Sequence, residues 1–157
     1  MKTLVIDEKD AKMLYPNASK EIKLILENTF GKELFSIKLI DTIKDFNDIL
    51  KISNKELEKI IPYLEPKNKE QKSLNALAKI QLISKVLNEG TILDWCNENQ
   101  YKYYPYFKKI TAGWEVDSCY YYYCSAYVGF GYYYISSELA LFAANTFKDI
   151  YIDYLPE

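Results

Sequence analysis

The stretch YKYYPYFKKITAGWEVDSCYYYYCSAYVGFGYYYI, residues 101–135, decides the fold of this chain. Twelve of the 16 tyrosines fall within residues 101–134. Aromatic and β-branched residues favour the pleated, half-buried surface of a sheet. YKYYPYF (101–107), GWEVDSCYYYYC (113–124) and AYVGFGYYYI (126–135) are therefore expected to form three antiparallel strands. Pro105 has no amide hydrogen and fits only at an edge or a bulge. Gly129 and Gly131 would permit a bulge or a sharp twist.

Helical patterns flank this stretch. SLNALAKIQLISKVLNE (73–89) carries Leu74, Leu77, Ile80, Leu82, Ile83, Val86 and Leu87 on a broad stripe, and Gly90 is placed to end it. A final helix is expected over 137–155, capped by Ser136 or Ser137, with Leu139, Phe142, Ala143, Phe147, Ile150 and Tyr154 on its apolar face. Upstream, the polar segment EPKNKEQK (65–72) reads as a linker. Residues 8–15 form a helix stopped near Pro16, and Ser19 caps a second helix with Ile22, Ile25 and Leu26 on one face and Gly31 at its end. Asp41 is expected to cap a helix bearing Ile43, Phe46, Ile49 and Leu50. Asn54 is expected to cap another with Leu57, Ile60 and Ile61 inward. TLVI (3–6) is a candidate short strand, and residues 34–40 remain open between types.

The fold class is thus α+β: N-terminal helices, then a three-stranded antiparallel tyrosine-rich sheet and a C-terminal helix. Residues 1–157 form one domain, with a helical part over 1–64 and a helix–sheet–helix part over 73–157. Helices 73–89 and 137–155 should cover one side of the sheet only, taking the rings that share a side with Val116, Val128 and Phe130. The opposite side should then expose several tyrosines, as a binding surface or a homodimer contact.

Composition narrows the chemistry. All 20 basic residues are lysine, there is no histidine, and the net charge is −2. Duplex DNA binders carry a basic footprint and read guanine with arginine, so duplex DNA is not the expected partner. No run of about 18 apolar residues exists, and the first dozen residues lack the long apolar core of a secretion signal, so a cytoplasmic protein is expected. The cysteines Cys96, Cys119 and Cys124 are odd in number and fit semi-buried thiols better than a disulfide framework or a metal site. GFG at 129–131 lacks the third glycine of a dinucleotide fingerprint and the Gly-Lys-Ser/Thr of a phosphate loop. No cofactor is expected. Without histidine no Ser-His or Cys-His pair can form. Only carboxylates remain for catalysis: Asp94 with Glu98, or Glu115 with Asp117.

The tyrosine cluster is the strongest functional signal, because tyrosine offers large contact area at low entropic cost and can stack on bases. Trp95, Tyr103, Tyr106, Trp114, Tyr121, Tyr123 and Tyr133 are the candidate contacts, with Lys102 beside them.

ALAKIQLISKVLNEGTILDWCNENQYKYYPYF (76–107), the hairpin after it and SSELALFAANTFKDIYIDYL (136–155) resemble a family of small uncharacterised proteins from phages and prophages of Bacteroidetes. KLILENTFGKELFSIKLIDTIKDFNDIL (23–50) fits the same family. The most specific pieces are Leu87–Gly90, Asp94–Trp95 and Lys102–Phe107. Relatives carry a Ser-Arg-Leu-Cys-Phe-like strand where this chain has Phe130–Tyr134. Gly131 replaces the arginine, which removes an anion contact there. The resemblance implies a phage origin. Together these readings suggest a non-enzymatic accessory protein acting in the host cytoplasm, binding a host protein or a nucleotide signal of a defence system through its aromatic face. The alternatives are a single-stranded nucleic-acid binder and a small carboxylate-dependent hydrolase.

Overall fold

The computed structural model describes residues 6–35, 38–123 and 132–156. The chain forms two compact units, Met1–Lys38 and Leu39–Glu157.

In the first unit, α1 (Glu8–Leu14) starts at Asp7, whose carboxylate accepts from the Asp10 amide at 2.8 Å. The second helix, α2 (Lys20–Phe30), starts at Ser19 and ends at Gly31 with φ +86°, as the sequence predicts. Leu26 is buried, whereas Ile22 and Ile25, expected on the same inward face, are exposed. Tyr15 stacks on Phe35 at 4.2 Å between ring centroids, and its hydroxyl donates to Glu27. Of the candidate strand 3–6, residues 3–5 lie outside the described residues.

The second unit begins with α3 (Leu39–Thr42) and α4 (Phe46–Ser53). Asp45, not Asp41, caps α4, its carboxylate accepting from the amides of Asn47 and Asp48 at 2.8 and 3.2 Å. Asn54 does not open a helix. It closes α4 in the left-handed conformation, φ +50° and ψ +47°, which asparagine tolerates better than most residues. Only a 3-10 turn, Leu57–Lys59, follows.

The long helix α5 (Lys69–Leu87) begins inside the segment expected to be a linker. Asn68 caps it by accepting from the Gln71 amide at 2.9 Å, and the Gln71 side chain reaches back to the Lys67 amide at 2.7 Å. That reciprocal arrangement is a close variant of the capping box. The polarity of residues 65–72 therefore belongs partly to a capped first turn. At its other end α5 passes into Glu89 and Gly90, both at positive φ.

Strands β1 (Lys102–Ile110) and β2 (Gly113–Tyr122) form an antiparallel hairpin. Among the described residues the sheet has two strands, not three. Of the expected third strand only residues 132–135 are described, and among them Tyr134 bridges Tyr103, with amide-to-carbonyl distances of 2.9 and 2.7 Å. Pro105 explains why pairing stops there. Tyr103 turns both its backbone groups toward Tyr134, so by antiparallel alternation the next group facing that edge belongs to residue 105. Proline has no hydrogen to donate. Gly129, Gly131, Val128 and Phe130 lie outside the described residues.

The expected C-terminal helix is two helices, α6 (Ser137–Thr146) and α7 (Lys148–Tyr154), broken at Phe147 with φ −112° and ψ +30°. Ser136 caps α6 as predicted, accepting from the Leu139 amide at 3.2 Å. The break lets one apolar sequence serve two surfaces: α6 lies on the hairpin and α7 lies along α5. Ile83, Leu87, Phe107, Tyr134, Ala140, Ala144, Phe147 and Tyr151 lie in the core of this unit.

Candidate functional site

A β-bulge sets which tyrosines face which way. Tyr106 pairs with Ser118, but Phe107 pairs with Val116, which makes Asp117 the extra residue on β2. Strict alternation would put Val116 on the side of Tyr120 and Tyr122. The bulge puts it instead with Cys119 and Tyr103, against the helices. This corrects the expected partition of rings, which assumed an unbroken strand.

On the helix side, Tyr103, Phe107, Trp114, Val116 and Cys119 meet the core. Tyr101, Tyr121 and Tyr123 continue that side at the open end of the hairpin and are exposed. Their rings brace one another. Tyr101 stacks on Tyr121 at 4.7 Å, and Tyr123 meets Tyr101 and Tyr121 edge-on at 5.1 and 5.5 Å. Tyr123 has its phenol pKa raised, first by hydrogen bonding with the Tyr121 hydroxyl.

The opposite side carries Lys102, Tyr104, Tyr106, Tyr120 and Tyr122. Tyr106 and Tyr120 are exposed and meet edge-on at 5.1 Å. Tyr104 and Tyr122 stack at 5.1 Å and 6°. Tyr133 lies against Tyr104 at 5.9 Å, and Trp95 meets Tyr133 at 4.9 Å. Lys102 is 0% exposed. Its ammonium donates to the Asn97 carbonyl at 2.9 Å and lies 5.5 Å from the Trp95 ring centroid. A buried ammonium needs such partners, because its desolvation is otherwise uncompensated.

The eight candidate contacts therefore do not form one surface. Trp95, Lys102 and Tyr133 form an internal cluster where residues 91–101 fold over the hairpin. Tyr106, Tyr121 and Tyr123 are exposed, while Tyr103 is half-buried between groups. Trp114 stands apart near the hairpin turn, with its indole nitrogen donating to the Pro156 carbonyl at 2.9 Å.

Sequence reasoning missed the two side chains that anchor this arrangement. Ser84 on α5 and Asn88 at the C-cap of that helix are both buried. Ser84 Oγ and Asn88 Nδ2 both donate to the Tyr133 carbonyl at 2.8 Å, and Asn88 Oδ1 accepts from the Ile135 amide at 3.0 Å. The amide of Asn88 thus replaces a strand neighbour. Asn75 does the same for Tyr63, at 2.7 and 3.0 Å. The available signal was polar residues at helical spacing among Ile80, Ile83, Val86 and Leu87.

Neither expected carboxylate pair is buried. Glu115 and Asp117 both bind Lys108, at 2.9 and 3.1 Å, and these bonds raise the Lys108 pKa. Asp94 and Glu98 are exposed, with Asp94 accepting from the Cys96 amide at 2.9 Å. No group of three Cys, Asp or Glu among the described residues could hold a metal ion. No described helix is long and apolar enough to cross a membrane. Cys96 is exposed, whereas partial burial pushes the Cys119 thiol pKa up. Since the thiolate is the reactive form and Cys96 is the more exposed thiol, Cys96 should alkylate faster than Cys119 at pH 8 by peptide mass spectrometry. Equal rates would contradict this packing of the strand.

Comparison with protein-family models, with curated proteins and with solved structures gives no match to this chain.

Proposed function

We propose that this protein is a non-enzymatic binding protein whose partner is another protein, engaged through the exposed rings at the open end of the hairpin. One observation carries the reading: Tyr101, Tyr121 and Tyr123 brace one another while remaining exposed. Rings restrained before binding lose little entropy when a partner covers them. The resemblance to phage proteins supports a host protein as that partner, and a component of a defence system in the host cytoplasm is the natural candidate.

A second observation favours protein over single-stranded nucleic acid. Stacking binders combine aromatic rings with cations that follow the phosphate backbone. Here Lys102 is buried on a carbonyl, and Lys108 is held by two carboxylates. Filter binding across a salt series separates the two readings, since phosphate contacts must weaken as salt rises.

The direct test replaces Tyr121 and Tyr123 together with serine. Affinity purification from host lysate should identify a specific partner for the parent protein. The double variant should bind that partner at least about 30-fold more weakly, the scale of a hot-spot residue worth 2 kcal/mol or more. Melting should stay close to that of the parent, because both rings are already exposed. Undiminished partner binding would refute the assignment.

A further inference from the structure

A second site lies at the other end of the hairpin. Nine residues line a cleft of about 570 Å³ around the turn, among them Lys69, Lys109, Trp114, Lys148 and Asp149. That volume falls within the range of small-molecule sites, about 300–1,000 Å³. β1 spans about 26 Å at roughly 3.3 Å per residue, so this cleft is remote from Tyr101 and Tyr123.

Its charge is unusual for this molecule. The whole chain is acidic, with net charge −2, yet three of the nine lining residues are lysines and Asp149 is the one acid among them. The lysines come from three elements: the first residue of α5, the end of β1 and the first residue of α7. Among the described residues none of the three makes an ion pair. The Lys69 ammonium donates once, to the Ile152 carbonyl at 3.2 Å, and keeps two further hydrogens. The Lys109 ammonium stands 5.2 Å from the Trp114 ring centroid. Trp114 itself is fixed by its bond to the Pro156 carbonyl. Three lysines with no ion pair among the described residues thus line one cleft beside a fixed aromatic ring.

We propose that this cleft binds a phosphate-bearing small molecule of nucleotide size, with Lys69, Lys109 and Lys148 holding the phosphates and Trp114 bordering the organic part. Lysine acts on phosphate as a point charge, so the site needs no arginine fork. The assignment uses none of the hairpin-end tyrosines and does not depend on a protein partner.

The probes are ATP, pyrophosphate and adenosine, titrated calorimetrically against the full chain at low salt. ATP should bind more tightly than pyrophosphate, and adenosine should not bind measurably. Affinity for ATP should fall with salt and drop at least about tenfold in the Lys109→Gln/Lys148→Gln variant, which replaces two accessible charges. An unchanged melting temperature for that variant would confirm that the fold survives. Tyr121→Ser/Tyr123→Ser should bind ATP as the parent does, which separates this site from the protein-binding surface. The proposal is overturned if neither ATP nor pyrophosphate binds, or if ATP binds equally well after both lysines are replaced.

Discussion

Asn88→Ala is expected to destabilise the second unit by about 2–4 kcal/mol, because it removes three hydrogen bonds, with the Tyr133 carbonyl, the Ser84 hydroxyl and the Ile135 amide, and orphans a backbone donor. The Tyr133 carbonyl would keep Ser84 as a partner, but the Ile135 amide has no second acceptor among the bonds formed there. At about 4 °C per kcal/mol for a unit of this size, the melting temperature should fall by roughly 8–16 °C. Ser84→Ala should cost less, about 0.5–1.5 kcal/mol, since Asn88 still serves the same carbonyl. Asn88→Asp should not rescue: it keeps an acceptor for Ile135 but sets a carboxylate oxygen against the Tyr133 carbonyl. Calorimetry across the three variants tests the ranking. A melting temperature for Asn88→Ala within a degree or two of the parent would show that the clamp does not hold residues 133–135 in place.

The clamp also marks where sequence reading reached its limit. Signals contained in a few adjacent residues were legible. Ser19, Gly31, Gly90 and Ser136 act where helix-end chemistry places them. The hairpin and the long helix stand where aromatic clustering and apolar periodicity put them. Several errors came from residue types with more than one use. Asparagine can open a helix or close one, and Asn54 closes α4. Asp41 and Asp45 both precede apolar runs, and only the geometry shows which carboxylate meets free amides. Other errors came from the third dimension. The Asp117 bulge leaves no mark on a strand rich in aromatics, yet it decides whether Val116 faces the helices. The interior placement of Lys102 depends on the Asn97 carbonyl and the Trp95 ring folding over it.

These placements divide the tyrosines by task. Tyr133 and Tyr134 are adjacent, point to opposite sides of the hairpin and are both buried. Tyr133 supports the internal cluster with Trp95, while Tyr134 reaches the helical core. The exposed rings at 101, 121 and 123 then extend from a fixed base. That separation is why replacing Tyr121 and Tyr123 tests recognition, whereas replacing Tyr133 or Tyr134 would test stability.

The buried pair Tyr134 and Tyr151 should make the protein sensitive to alkali. Their hydroxyls share one hydrogen bond of 2.6 Å inside the core. Burial is the leading cause that raises both phenol pKa values, well above the ordinary value near 10. In the unfolded chain both phenols ionise near pH 10, whereas in the folded chain they stay neutral to higher pH. Above pH 10 the unfolded state therefore binds fewer protons than the folded state, and stability falls as pH rises. The contribution is intact below about pH 9.5 and declines beyond pH 10 by up to about 2.7 kcal/mol per pH unit for the two groups. Lysines also titrate in this range, so the informative comparison is with Tyr134→Phe/Tyr151→Phe, which leaves every lysine in place. At pH 7 either single replacement strands one buried hydroxyl and should cost about 1–3 kcal/mol, whereas the double replacement should cost less than the two singles together. Between pH 9.5 and 11 the double variant should lose stability more slowly than the parent in denaturant titrations. Parallel curves for the two proteins would show that these hydroxyls ionise without unfolding the core.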